Sequence, residues 1–86
     1  LNEAAKDGRY ELTAISYAAY PFLKDTYQLL SVGSSVGDNY GPMVLTRNAL
    51  TKTELLAQPI AVPGDQTTAT LALKLWCPRV QTVAMP

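Results

Sequence analysis

Histidine is absent from the chain, and cysteine occurs once, as Cys77. Without histidine the chain cannot supply an imidazole general base, a Ser-His or Cys-His nucleophile pair, or a histidine metal ligand. A single cysteine excludes an internal disulfide and is typical of a reducing compartment. We interpret Cys77 as a buried structural thiol, and we expect no catalytic residue, metal or organic cofactor in this segment.

A charge imbalance and long apolar runs are also missing. Seven basic and seven acidic residues cancel, so no basic face is available to neutralise nucleic-acid phosphates. No apolar run approaches the roughly 18 residues that cross a bilayer, and the N-terminal "LNEAAKDGRYEL" lacks the apolar core of a signal peptide. We therefore expect neither nucleic-acid nor membrane partners, and a cytoplasmic location. Because Leu1 is not methionine, we expect a segment cut from within a longer chain.

Hydrophobic residues make up 48% of the 86 residues, which is ordinary for a small folded domain or a piece of a larger one. Apolar runs predict strands at 10–16, 26–33, 43–47, 59–64 and 79–86. Helical patterns lie between them, at 1–7 with Gly8 as the stop, around 18–24, at 48–58 with a Thr51–Glu54 capping box, and at 67–77 with Leu71, Leu75 and Trp76 facing inward. Strands that alternate with helices predict an α/β fold with parallel strands.

The stretch "IAVPGDQTTATLALKL" is the first candidate for binding chemistry. A predicted strand ends at Val62, a Pro-Gly pair turns the chain, and a helix begins near Thr67. Helix N–H groups and the hydroxyls of Thr67 and Thr68 would then face a carboxylate or phosphate. In the simpler interpretation Asp65 or Thr67 is only an N-cap, and the residues alone favour it. The loop lacks both nucleotide-binding glycine patterns, GxxxxGK[ST] and GxGxxG.

Two further stretches offer polar groups to the same cleft. In "SYAAY", Ser16 at the end of a predicted strand could direct its hydroxyl into the cleft, with Tyr17 and Tyr20 as its walls. The alternative is that Ser16 is an N-cap beside two half-buried rings, and the residues alone favour it. In "GSSVGDNYGP", Gly37 and Gly41 lack a Cβ and would allow the backbone to approach a ligand. The alternative is a loop whose glycines adopt positive φ, and on the residues alone it is favoured.

The order and spacing of "SYAAY", the glycine loop ending in "GP", "IAVPGDQTTA" and "TVAMP" resemble the 1,4-dihydroxy-6-naphthoate synthase family. That family acts on cyclic dehypoxanthinyl futalosine in the futalosine route to menaquinone. The resemblance extends over nearly the whole chain. It implies an α/β architecture that is part of a two-lobed, type II periplasmic-binding-protein-like fold, with the ligand between the lobes.

The resemblance also divides the chain and assigns a site. Residues 1–44 would belong to the first lobe, residues 45–58 to a hinge crossing and linker helix, and residues 59–86 to the start of the second lobe. The family's ligand-binding groups fall on the side chains of Asn2, Ser16 and Thr68 and the backbone of Ala69, with Thr67, Gly37 and Gly41 lining the cleft more loosely.

The family's catalytic base is a histidine, which this chain lacks. The resemblance therefore implies a segment of a lyase that binds a small-molecule substrate and is inactive by itself. Two alternatives remain: a solute-binding protein of the same fold that carries a small anion, and an interaction module without a ligand site. Uncovered sheet edges and apolar faces would also be compatible with a homo-oligomer.

Overall fold

The computed structural model describes residues 1–85. Within that range the elements follow in the order α1 (Asn2–Lys6), a 3-10 helix (Tyr17–Phe22), α2 (Lys52–Leu56), β1 (Ile60–Val62), α3 (Thr68–Trp76) and β2 (Thr82–Ala84). The two strands pair in parallel, with Ile60 opposite Thr82 and Val62 opposite Ala84. The chain from β1 through α3 to β2 is therefore a strand–helix–strand unit. No helix in residues 1–85 has both the length and the hydropathy that crossing a bilayer requires.

The strand predictions were right only in the C-terminal part of the chain. The strands predicted at 59–64 and 79–86 form as β1 and β2, although Pro86 lies outside the described residues. The strands predicted at 10–16, 26–33 and 43–47 were wrong, because residues 1–59 contain no strand. An apolar run becomes a strand only when a neighbour completes its hydrogen-bond ladder. Those runs have no such neighbour here, and Leu30 and Leu45 remain exposed.

Helix α1 ends where the sequence predicts. Gly8 has a φ of +65°, a conformation that glycine adopts without a Cβ penalty. Its N–H donates to the Ala5 carbonyl at 3.1 Å, and the Arg9 N–H donates to the Ala4 carbonyl at 3.1 Å. These two bonds form a Schellman motif, which satisfies the last carbonyls of the helix.

Helix α2 begins with the predicted Thr51 cap, but the capping box is only half formed. The Thr51 hydroxyl accepts from the Glu54 N–H at 3.2 Å. The Glu54 carboxylate accepts from that same hydroxyl at 3.1 Å rather than from a backbone N–H. The local threonine signal was therefore sufficient to locate the start of this helix.

The inward face of α3 differs from the prediction. Leu71, Leu75 and Trp76 are 45%, 75% and 49% exposed, so the prediction that they face the core was wrong. Thr70 and Leu73 are buried instead, because their spacing places them on the side that packs against β1. Trp76 lies beneath the Lys52 ammonium group, 4.7 Å from the ring centroid, and thus makes a surface cation–π contact.

The apolar core consists of two small clusters. One joins α3 to the strands and includes Cys77, which is buried as predicted; its members are Val62, Leu73, Cys77 and Val80, with Leu56 and Ile60 against them. The other joins α1 to the 3-10 helix; its members are Ala5, Ala19 and Leu23, with Ile15 and Tyr27 against them. Since α3 also lies against the 3-10 helix, the first turn of α3 and the start of the 3-10 helix are held near each other.

Candidate functional site

Asn2 connects the first turn of α1 to the start of the 3-10 helix. Its Nδ2 donates to the Ser16 hydroxyl at 3.1 Å, and its Oδ1 accepts from the Ser16 N–H at 2.9 Å. The Nδ2 group also lies 3.5 Å from the Gln66 carbonyl, at the limit of a hydrogen bond. One half-buried amide therefore orients Ser16 and reaches the turn between β1 and α3.

Thr68 connects that turn to the 3-10 helix from the other side. It is the first residue of α3, and its hydroxyl accepts from the Ala18 N–H at 3.2 Å. Ser16 occupies the N-cap position of the 3-10 helix. Among the described residues its side chain makes no cap bond, and its hydroxyl accepts from Asn2 instead. The structure thus brings Asn2, Ser16 and Thr68 together, although they come from three separate segments.

Thr67 is the N-cap of α3, as the simpler interpretation of the turn predicts. Its hydroxyl accepts from the Thr70 N–H at 3.3 Å and lies 3.0 Å from the Gly64 carbonyl, to which it can donate. The Thr70 hydroxyl lies 2.8 Å from that of Thr67 and donates to Gly64 at 2.6 Å. The Thr67 hydroxyl is therefore directed into the turn, whereas Asp65 is exposed to solvent.

Two concave surfaces flank these residues. A shallow cavity of about 290 Å³ is lined by Asn2, Ser16 and three neighbours, which are Leu1, Ala14 and Ile15. A larger apolar groove of about 580 Å³ includes Pro63, Ala69 and Trp76 in its lining. Asn2 and Ser16 thus border one surface and Ala69 borders the other, whereas Thr67 and Thr68 line neither. The predicted tyrosine walls do not line the cavity: Tyr17 is 56% exposed, and the Tyr20 hydroxyl lies 3.5 Å from the Tyr27 carbonyl.

The two glycines of the loop that were assigned to the site border neither concave surface. Gly37 and Gly41 are exposed, and neither lines the cavity or the groove that the structure describes. A Cβ on Gly37 would lie 2.9 Å from the Tyr40 ring, so the absence of a side chain at Gly37 leaves room for Tyr40 of the same loop. Positive φ occurs at Gly33, at +83°, and at Asn39, at +62°, but not at Gly37 or Gly41. Of the three glycines in this loop, Gly33 alone adopts positive φ, so the alternative that the glycines serve positive φ is confirmed for Gly33 only.

Sequence reasoning overlooked three participants. Thr70 is fully buried in the turn, the Ala18 N–H donates to Thr68, and the Gln66 Oε1 is buried without a hydrogen-bond partner among residues 1–85. Of these, Thr70 alone had a local signal, because it lies three residues after the N-cap on the predicted helix. In the described part of the chain no cluster of three metal-binding side chains is present.

The comparisons with known proteins place the chain in a family. The model of the menaquinone biosynthesis family matches residues 1–86, so the chain belongs to that family. The chain is similar to the 1,4-dihydroxy-6-naphthoate synthase of Thermus thermophilus, with 43% identity over 76 residues, 88% of this chain and 27% of the relative. The Streptomyces coelicolor enzyme of the same name is 37% identical over 75 residues, 87% of this chain and 26% of the relative.

These relatives are much longer than the chain. The chain spans about a quarter of the length of each, as the coverages of 27% and 26% show. No solved structure matches it. The family membership that the motif order indicated is therefore confirmed.

Proposed function

We propose that this chain is a segment of a 1,4-dihydroxy-6-naphthoate synthase, a lyase that acts on cyclic dehypoxanthinyl futalosine in menaquinone biosynthesis. The proposal assigns substrate-binding groups to the segment and the catalytic base to residues outside it. The observation that carries it is the convergence of Asn2, Ser16 and Thr68, whose hydrogen bonds link positions up to 64 residues apart. The names of the two relatives support the reaction.

The chemistry of these groups suits a polar, anionic small molecule. The first two N–H groups of α3, those of Thr68 and Ala69, have no intrahelical acceptor, and they lie at the positive end of the helix dipole. The Thr68 and Ser16 hydroxyls and the Asn2 amide add neutral donors and acceptors. Together they can hold a carboxylate or a sugar hydroxyl in one orientation, which is how binding groups lower a barrier without transferring a proton.

A two-lobed fold of the periplasmic-binding-protein type is part of the proposal. Its first lobe would include residues 1–44, its hinge and linker helix residues 45–58, and the start of its second lobe residues 59–86. Support comes from the parallel pair β1 and β2 with α3 between them. In such α/β units ligands bind outside the carboxyl ends of the strands, where the turn from β1 to α3 lies. We also place the enzyme in the cytoplasm, where a free thiol such as Cys77 stays reduced.

The test uses the complete enzyme in which this sequence occurs, called the full-length enzyme below. Thr68→Val removes one hydroxyl at nearly constant volume and should raise KM about tenfold, the effect of losing one hydrogen bond of roughly 1.4 kcal/mol. Thr53→Val is the matched control, since Thr53 is exposed on α2. Steady-state kinetics with the futalosine substrate measure both variants. Unchanged KM and kcat in Thr68→Val would refute the binding role of the Thr68 hydroxyl. Binding of the substrate without turnover by the wild-type protein would favour a solute carrier.

A further inference from the structure

Thr70 combines complete burial with a polar side chain. It is 0% exposed and is the largest fully buried side chain in residues 1–85. A buried hydroxyl is costly unless it is hydrogen-bonded, so its position requires a structural reason. The reason lies in the turn between β1 and α3, which contains the proposed binding groups.

The Thr70 hydroxyl closes a cluster of three oxygens. It donates to the Gly64 carbonyl at 2.6 Å, and the Thr67 hydroxyl lies 2.8 Å from it and 3.0 Å from the same carbonyl. The Thr70 N–H completes the cluster by donating to the Thr67 hydroxyl at 3.3 Å. Hydrogen bonds thereby join Gly64, two residues after β1, to the first turn of α3. At Thr70 these bonds are shielded from solvent.

Some of the groups assigned to substrate binding, those of Thr68 and Ala69, lie between the two ends of this connection. Gln66, whose carbonyl faces the Asn2 amide, and Thr68 and Ala69 all lie between Gly64 and Thr70 in sequence. A change in the distance from Gly64 to Thr70 would therefore move the first N–H groups of α3 and the Thr68 hydroxyl. Even small displacements of these groups matter, because a bound substrate tolerates little misplacement of the groups that orient it.

We propose that Thr70 is a positioning residue, whose buried hydroxyl fixes the first turn of α3 so that Thr68 and Ala69 meet the substrate in the correct orientation. The inference rests on the proposed function and adds to it a residue that does not itself contact the substrate.

The decisive comparison in the full-length enzyme is Thr70→Ser against Thr70→Ala. Both variants lose the same methyl group, and only Thr70→Ala also loses the hydroxyl. We expect Thr70→Ser to keep KM within about twofold of wild type and Thr70→Ala to raise it about tenfold, because the first turn of α3 is then no longer held in place and its binding groups are misplaced. Thr70→Val, which keeps the volume and loses the hydroxyl, should behave like Thr70→Ala.

A control separates positioning from general destabilisation. Val80→Ala shortens a buried side chain in the cluster beside α3 and should lower the melting temperature without touching the turn. A KM raised in Thr70→Ala but not in Val80→Ala, at comparable melting temperatures, supports positioning. An equal rise in both variants, or equal KM values for Thr70→Ser and Thr70→Ala, overturns it.

Thr68→Val distinguishes this inference from the proposed function. If Thr68→Val raises KM and Thr70→Ala does not, the inference fails and the proposed binding role stands. If Thr70→Ala raises KM, with Thr70→Ser near wild type, and Thr68→Val does not, the inference holds through the N–H groups of α3. In that case the Thr68 hydroxyl has no binding role.

Discussion

The Asn2 side chain ties α1 to two turns that are distant in sequence, since its partners are 14 and 64 residues away. The amide donates and accepts at the same time, so it can hold both the hydroxyl and the N–H of Ser16. An aspartate has the same shape but cannot donate. At this position the donor function, rather than the volume, is therefore the property that can be tested.

Asn2→Asp in the full-length enzyme should raise KM about tenfold and lower stability by about 1 kcal/mol. It removes the donor to Ser16 and places a negative charge beside the Gln66 carbonyl and the proposed anionic ligand. Steady-state kinetics and thermal unfolding measure the two effects. Asn48→Asp makes the same chemical change at an exposed position and should have neither effect. Equal kinetics for the two variants would contradict the role of Asn2 in binding.

At the scale of the single element, the helix ends are the best-determined features of this chain. Gly8, Thr51 and Thr67 each stop or start a helix, as their residue types predict. A cap depends on residues within one turn of itself, so the sequence alone contains the necessary information. The positive φ of Gly8 makes the α1 end the clearest case for a quantitative test.

Gly8→Ala should destabilise the full-length enzyme by roughly 1–2 kcal/mol. The φ of +65° brings the new Cβ close to the backbone, which is the cost of a left-handed conformation for an L-residue. Gly41→Ala is the control, because Gly41 lacks positive φ and a Cβ there would meet nothing within 4 Å. Calorimetry compares their melting temperatures. Identical values would show that a side chain at position 8 adopts the left-handed conformation without a measurable cost in stability.

Strands were harder to predict than caps, because each one depends on a partner elsewhere in the chain. The predictions of β1 and β2 were right because each strand completes the other's backbone hydrogen bonds. The apolar run at 43–47 has no such partner strand in residues 1–85. The inward face of α3 was misassigned for a similar reason: the periodicity fits Leu71 and Leu75, but packing against β1 selects Leu73. Period alone does not say which face of a short helix finds a neighbour.

The candidate site was predictable only in part. Thr67 and Thr68 follow from the strand–turn–helix pattern, and Ser16 follows from the similar pattern of "SYAAY". Asn2 had no local signal and was assigned by the family resemblance alone. Thr70 was missed because a buried hydroxyl is recognised by its partners, and those lie in the folded turn. Gly37 and Gly41 stay predictions; both are exposed, and neither lines the cavity or the groove.

At the scale of the whole molecule, more large hydrophobic residues are exposed than are buried in the core among residues 1–85. Many large hydrophobic side chains are exposed, including Met43 at 83% and Leu45 at 84%, both of which line the groove of about 580 Å³. A chain of this size buries too little area to be stable by a wide margin. With a formal net charge of zero, electrostatic repulsion does little to keep copies apart. Self-association of the isolated polypeptide therefore tests whether this exposed apolar surface can support the predicted homo-oligomer.

The isolated 86-residue polypeptide should self-associate and bind a hydrophobic dye, because the groove offers contiguous apolar surface. Met43→Lys combined with Leu45→Lys should reduce both effects, since both side chains are largely exposed and their replacement removes little from the core. Sedimentation velocity and dye fluorescence measure the outcome across a concentration series. Ser34→Lys combined with Ser35→Lys adds the same charge on exposed loop residues outside the groove, so it separates the loss of apolar surface from simple repulsion. A monomeric wild-type polypeptide that binds no dye would show that this face does not drive association.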